Sequence, residues 1–253
     1  MKFIFFSVTV CIFISGCTSR HSVEQTLRDH PEIVFETIKK HPSRFMEAVR
    51  VAAQSAQDEA YIHREKEMKT SLEKDFKNPR QVQVDPRKIL TGPVDAPITI
   101  IKYADFQCPA CRMGFMSLEK IKEKYKGKIR FIHKNIPLPM HPLAPLAAQI
   151  YEALVFTDKE KAYAFYKKAY SEQGKWKTEK DLWQIAKSVG GKQQQIKKII
   201  EKGDVDKSIQ ADLEEHSAQG FEGTPAYIIN GVALYGAQPE EEFSKIIDRV
   251  LKK

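Results

Sequence analysis

Cysteine is scarce: four residues in 253, at positions 11, 17, 108 and 111. That excludes a small fold stapled by several disulfides, and the one close pair, Cys108 and Cys111, is spaced too tightly to tie distant segments together. Histidine is limited to seven dispersed residues. Two cysteines supply half of a tetrahedral metal site and no histidine spacing completes it, so no metal and no cofactor are expected; His133 and His141 read as structural. Long apolar runs are missing after the first 17 residues. Arginine-rich stretches interleaved with aromatics are missing too, although the net charge is +8. The lysines are scattered among glutamates, as in Glu119-Lys120-Ile121-Lys122-Glu123-Lys124, which excludes a nucleic-acid reader and describes a solvated helical surface. Attraction to an anionic membrane is the other reading of that charge. No internal repeat or low-complexity stretch occurs.

What is present begins with the leader. Lys2 precedes Phe3-Ile4-Phe5-Phe6 and an apolar stretch to Ile14, with no further charge until Arg20. These are the n- and h-regions of a secretory signal, too short to span a bilayer comfortably. Ile14-Ser15-Gly16-Cys17 resembles the lipobox of bacterial lipoproteins. The resemblance implies that 1–16 is a signal peptide and that Cys17 carries lipid. An ordinary signal or a short uncleaved anchor are the alternatives. Cys11 leaves with the signal, so an exported body keeps Cys108 and Cys111, a pair placed for use rather than for stapling.

The body, 17–82 and then 83–253, reads as an arm and a domain. Thr18 to about His21 is a tether. Pro31 and Pro42 each open a helix, since proline lacks only an N–H that would have no partner there. The second helix runs from Pro42 to about Phe76, with Phe45, Val49, Ala52 and Ala56 as one stripe and Met68, Leu72 and Phe76 as a weaker one. At 1.5 Å per residue it spans roughly 50 Å, more than a compact domain needs, which favours a self-associating arm. Lys77 to Pro86 is the boundary. Strands follow at Lys88–Leu90, Ile98–Tyr103 and Ile129–His133, with a helix from Pro109 to about Tyr125 between the last two. That makes a right-handed βαβ unit. About 142–220 is helical: 143–156, 159–171, 179–189, 193–202 and 207–218, with Trp176 and Trp183 as packing residues. Asn230-Gly231 joins two short strands as a two-residue hairpin, and a last helix starts at Pro239. The fold class is α/β, a thioredoxin topology with an inserted helical domain.

Asp95-Ala96-Pro97-Ile98-Thr99-Ile100, Asp105-Phe106-Gln107-Cys108-Pro109-Ala110-Cys111, Pro137-Leu138-Pro139, His141-Pro142-Leu143-Ala144 and Gly223-Thr224-Pro225-Ala226 together resemble the DsbA-like thiol:disulfide oxidoreductases. The N-terminal helices are similar to the oligomerisation arms of that family's dimeric or trimeric branch. From the residues themselves, Cys108 stands where a helix begins, so free N–H groups and the helix dipole favour its thiolate, Pro109 preorganises the first turn, and Cys111 is the buried partner. The resemblance implies a cis Thr224–Pro225 bond beside the sulfur. It also implies an acidic residue six positions before the first cysteine, where this chain has Lys102; Asp105 is the nearer candidate for proton transfer. Ala110 replaces the histidine of strongly oxidising relatives and implies a milder oxidant. The expected function is an extracytoplasmic, lipid-anchored enzyme forming or reshuffling disulfides in exported proteins. It would be recharged by a membrane redox partner and, in a Gram-negative cell, held at the outer membrane. An envelope reductase and a non-catalytic holdase lipoprotein are the alternatives.

Overall fold

The computed structural model describes residues 20–252, so the signal, the lipobox and Cys17 lie outside the described residues. The chain divides into two compact units, one ending at Glu65 and the other running from Lys66 onward.

The first unit holds α1 (Arg20–Asp29), α2 (Glu32–Lys40) and the start of α3 (Pro42–Lys77). The tether expected to reach His21 is already helical from Arg20. An Arg20–Glu24 pair one turn apart and the Thr26 hydroxyl donating to the Ser22 carbonyl hold that first stretch in register. Pro31 caps α2 as expected. Neither α1 nor α2 buries any residue, and Ile33, Val34, Phe35, Phe45, Met46 and Val49 stand exposed, Phe35 at 62%.

In the second unit the end of α3 belongs with the sheet, so the boundary expected at 82 falls inside this unit. The reason is packing. Phe76 is buried, Leu72 lies against the same core, and Asp75 accepts from Arg80 Nε at 2.8 Å and from the Ala233 N–H at 3.0 Å. The weaker sequence stripe of α3 is therefore the one with a core of its own.

A five-stranded sheet in the order β1-β3-β2-β4-β5 carries this unit. Its strands are β1 (Ile89–Thr91), β2 (Ile98–Ala104), β3 (Ile129–Asn135), β4 (Ala226–Ile229) and β5 (Val232–Tyr235). Strands β2 and β3 run parallel, joined by α4 (Pro109–Lys124); the other pairs are antiparallel. Strand β3 extends past the expected His133 to Asn135 because parallel pairing continues to Ala104 opposite Asn135. Ile98 and Ile100 are fully buried, each contributing about 2 kcal/mol of transfer free energy. The hairpin turn is as expected: Asn230 and Gly231 take φ of 46° and 84°, and a Cβ on Gly231 would lie 2.6 Å from Pro79 Cβ.

The insertion comprises α5 (Ala144–Val155), α6 (Lys159–Ser171), α7 (Glu179–Ser188), α8 (Gln193–Ile200) and α9 (Asp204–Ala218). Helix α9 starts three residues before the expected Lys207. Gly203 turns left-handed at φ 80°, and Asp204 and Asp206 then face the helix's positive end. A capping box at Thr178 and Asp181 starts α7. Trp176 is buried and donates to the Ala169 carbonyl at 2.9 Å; Trp183 is partly buried beneath Lys197. Helix α10 (Glu240–Leu251) closes the chain against α4. Where insertion meets sheet, Lys88 reaches Asp212 at 2.8 Å and Glu152 at 3.0 Å, all three being buried or nearly so. Among the described residues no helix is long and apolar enough to cross a membrane.

Candidate active site

The end of β2 aims the chain at α4, and the loop between them is held from three sides. Asp105 Oδ1 accepts from the Gln107 and Cys108 N–H groups at 2.6 and 3.2 Å. Its Oδ2 meets the Leu138 N–H at 2.7 Å and His141 Nδ1 at 2.9 Å, fixing the 137–143 loop beside the cysteines. From the insertion, Gln173 Nε2 donates to the carbonyls of Phe106 and Cys108 at 2.8 and 3.0 Å, and the Tyr170 hydroxyl donates to that of Asp105 at 3.3 Å. Phe106 buries itself among Tyr151, Phe165 and Tyr170, stacking on Tyr170 at 5.0 Å.

Cys108 is the N-cap residue of α4 with Pro109 behind it, and both cysteines are free thiols. The Thr224–Pro225 peptide is cis, and the Thr224 carbonyl oxygen lies 3.6 Å from Cys108 Sγ. Hydrogen bonding from Cys111 outweighs burial. Together with Thr224 and the N–H groups of Cys111 and Ala110, it holds the Cys108 thiol at about 5. Cys111, fully buried, is pushed far above its usual range by burial and then by Cys108. One sulfur is thus an anion at neutral pH and its neighbour a thiol. Ala110 offers no cation beside the sulfur; hydrogen bonds and the helix terminus stabilise the anion.

Of the residues singled out in the sequence, Cys108, Pro109, Ala110, Cys111, Thr224 and Pro225 come together. Asp105 borders them, but its carboxylate is committed to loop N–H groups and His141. Its own N–H, rather than the carboxylate, is the group that approaches Cys111 Sγ, at 3.5 Å. Lys102 lies fully buried beneath the pair, donating to the Cys111 carbonyl at 3.1 Å. Gln173 was not legible as a site residue; its only signal is a glutamine just past the end of a helix. His141 has a structural role as expected, but in the site loop itself. Among the described residues no group of three or more histidine, cysteine or acidic side chains is placed to hold a metal.

A sequence profile for the family described as thioredoxin matches residues 84–249. The chain belongs to the thioredoxin superfamily. Within it, it is a DsbA-like thiol-disulfide oxidoreductase. The "Probable disulfide bond formation protein D" of Bacillus cereus is 32% identical over 172 residues, covering 64% of this chain and 78% of that relative. The catalytic domain of Proteus mirabilis ScsC superposes with a TM-score of 0.57 at 25% identity, over 64% of this chain and 88% of that one. A linker-deleted variant of the same ScsC reaches 94% of this chain and 99% of its own, with a TM-score of 0.57 at 20% identity.

Proposed function

We propose that Cys108 and Cys111 exchange disulfides with exported proteins outside the cytoplasm, forming them and, in an oligomer, rearranging them. The observation that carries this is the division of labour between the sulfurs: a Cys108 anion at a helix start beside a cis-proline loop, with a buried Cys111 thiol behind it. In the oxidising direction a substrate thiolate attacks Cys108 of the protein disulfide. The Cys108–Cys111 bond breaks, and its electron pair leaves on Cys111. A second substrate thiolate then attacks its mixed-disulfide partner sulfur, releasing Cys108 as the thiolate. Atoms and electrons balance between two thiols and one disulfide. Pro109 and Ala110 shape the turn, Thr224 and Pro225 face the sulfur, and Asp105 holds the loop in place.

The lack of a cation at Ala110 supports a milder oxidant than histidine-bearing relatives. The exposed apolar side chains of α1, α2 and α3 support self-association, to be checked by sedimentation of the full chain against one shortened to start at Lys66. Export and lipid attachment at Cys17 rest on the leader sequence; Cys17→Ser should release the protein from the membrane fraction. A membrane redox partner would restore the oxidised pair.

The decisive experiment replaces Cys111 with serine and runs envelope extracts on a non-reducing gel. Trapped mixed disulfides that vanish with dithiothreitol and with Cys108→Ser are expected. Their absence overturns the reading. A reduction potential near about −270 mV, the thioredoxin value, would turn oxidase into reductase.

A further inference from the structure

The net charge of +8 is unevenly spread along the chain. Residues 159–202, which hold α6, α7 and α8, carry twelve lysines against five acidic residues. Residues 203–253 carry five basic residues against ten acidic ones. The interleaving of lysine with glutamate that holds on α4 therefore fails across the insertion, and one part of the excess lies beside the reactive cysteine.

Two segments meet at the Cys108 carbonyl. From α4 the Arg112 N–H donates to it at 3.3 Å, and from the turn after α6 Gln173 Nε2 donates to it at 3.0 Å. That turn has a fixed base. Gly174 passes through at φ 88°, Trp176 is buried with its ring N–H on the Ala169 carbonyl at 2.9 Å, and the Thr178–Asp181 capping box follows. Lys175 and Lys177, on either side of Trp176, are exposed, and so is Arg112. Among the described residues none of these three cations has an ion pair. The acids of the same turn are committed elsewhere: Glu172 faces Lys168 at 3.9 Å, and Asp181 accepts from the Lys177 and Thr178 N–H groups at 2.9 Å each. Glu179 on α7 is followed by the exposed Lys180, and Glu222 stands exposed on the cis-proline side, two residues before Thr224.

We propose that Arg112, Lys175 and Lys177 form a cationic rim that selects polypeptide substrates with acidic side chains close to the reacting cysteine. This rests on the reading of Cys108 and Cys111 as the exchanging pair. Chain geometry keeps the Lys175 and Lys177 Cα atoms within about 7 and 14 Å of that of Gln173. Those spans are comparable with the screening length of about 8 Å at physiological salt, so the field reaches an arriving chain. Exposed pairs of this kind add little affinity; they raise the rate of productive encounter and set which partners meet the sulfur. The rim thus selects by rate, and the product leaves as readily as it came. A lipid surface would also be drawn to these cations. They converge on the carbonyl of the reactive residue itself, however, and a membrane seated there would crowd the sulfur that substrate thiols must reach.

The test uses the oxidised full chain and three short peptides, each with two cysteines able to close on one another. Their flanking positions are all glutamate, all serine or all lysine, and closure is followed by acid quench and mass. At about 20 mM salt and pH 7 the glutamate peptide should be oxidised about tenfold faster than the lysine peptide, the ratio falling to about twofold at about 0.5 M. Flanking charge also shifts the peptide thiols, so each peptide is compared between two proteins. The triple variant Arg112→Gln, Lys175→Gln, Lys177→Gln should lose about tenfold of the preference and oxidise the serine peptide within about twofold of the wild-type rate. Its Cys108 midpoint should not move, because hydrogen bonds and burial set that thiol. A variant that keeps the wild-type preference overturns the proposal. Should the variant fail to fold, a wild type whose peptide preference ignores salt overturns it as well. So does a rim that binds vesicles of equal phosphatidylglycerol and phosphatidylcholine in the wild type and not in the variant, while peptide rates ignore the three substitutions. Failure of the underlying reading looks different: none of the three peptides would then be oxidised.

Discussion

Gly114 lies in α4 one turn beyond Cys111, where the helix passes over β4. A Cβ there would stand 2.0 Å from the Tyr227 hydroxyl and 3.3 Å from Tyr227 Cζ and Pro225 Cγ. Tyr227 is fully buried with its ring edge-on to Phe243 at 4.8 Å, so it has no space to swing into. Relief of the contact requires a shift of more than about 1 Å in a close-packed core, worth about 2–3 kcal/mol, and the gain from alanine in a helix interior offsets about 1 kcal/mol of it. Gly114→Ala should therefore lose about 1–2 kcal/mol. The offending atom is a hydroxyl without a hydrogen-bond partner among the described residues. Tyr227→Phe alone should then be neutral or stabilising by about 1 kcal/mol. The double variant should recover the alanine loss, because the nearest ring atom left is the 3.3 Å contact. Urea denaturation of the four proteins in the reduced state gives the cycle, with an expected coupling of about 2 kcal/mol. Coupling below about 0.5 kcal/mol, with Gly114→Ala as stable as the wild type, would refute the steric account.

Three further outcomes are expected. The Cys108 thiolate, followed by absorbance near 240 nm, should titrate with a midpoint at about pH 5. Its folded value is depressed, so its contribution to the reduced form is full above the ordinary thiol range and lost as pH falls through 5; melting temperatures of reduced protein at pH 4 and pH 8 check the sign. Lys88→Met leaves Glu152 and Asp212 buried without their cation and should cost about 3–5 kcal/mol at pH 8 by urea denaturation. The loss should shrink at pH 5, because burial has raised Asp212 to about 6 and its protonated form needs no partner. Asp105→Ala removes the acceptor for three loop N–H groups and His141. A loss of about 3 kcal/mol is expected by the same method, with Asp105→Asn losing less.

The sheet, the insertion and the hairpin were legible because strand alternation, Gly-Pro punctuation and Asn-Gly chemistry are local signals. The Cys108–Cys111 pair was legible for the same reason. The features that escaped depend on tertiary neighbours. The weak stripe of Leu72 and Phe76 outranked the stronger stripe of Phe45 and Val49 because the sheet stands beside the former. Lys102 reads from sequence as the loss of an acid; the Cys111 carbonyl and the aromatic faces that receive its amine come from distant elements. Gln173 reaches the Cys108 carbonyl across 65 positions of sequence, a distance no local pattern encodes. Asp105 adjoins the cysteines in sequence and reads there as a candidate for proton transfer, but which way its carboxylate turns is set by a loop more than thirty residues away.

Phe106, two residues before the reactive sulfur, is seated inside the inserted helices rather than in the sheet that delivers it. The same continuous core runs from β2 through that ring into α5, α6 and α7. Insertion and scaffold therefore share one cooperative transition: amides of α6 should exchange with solvent through the same global opening as those of β2. The inserted helices are not a lid but the second half of the core, and the geometry of the sulfur is inseparable from whether that half is folded.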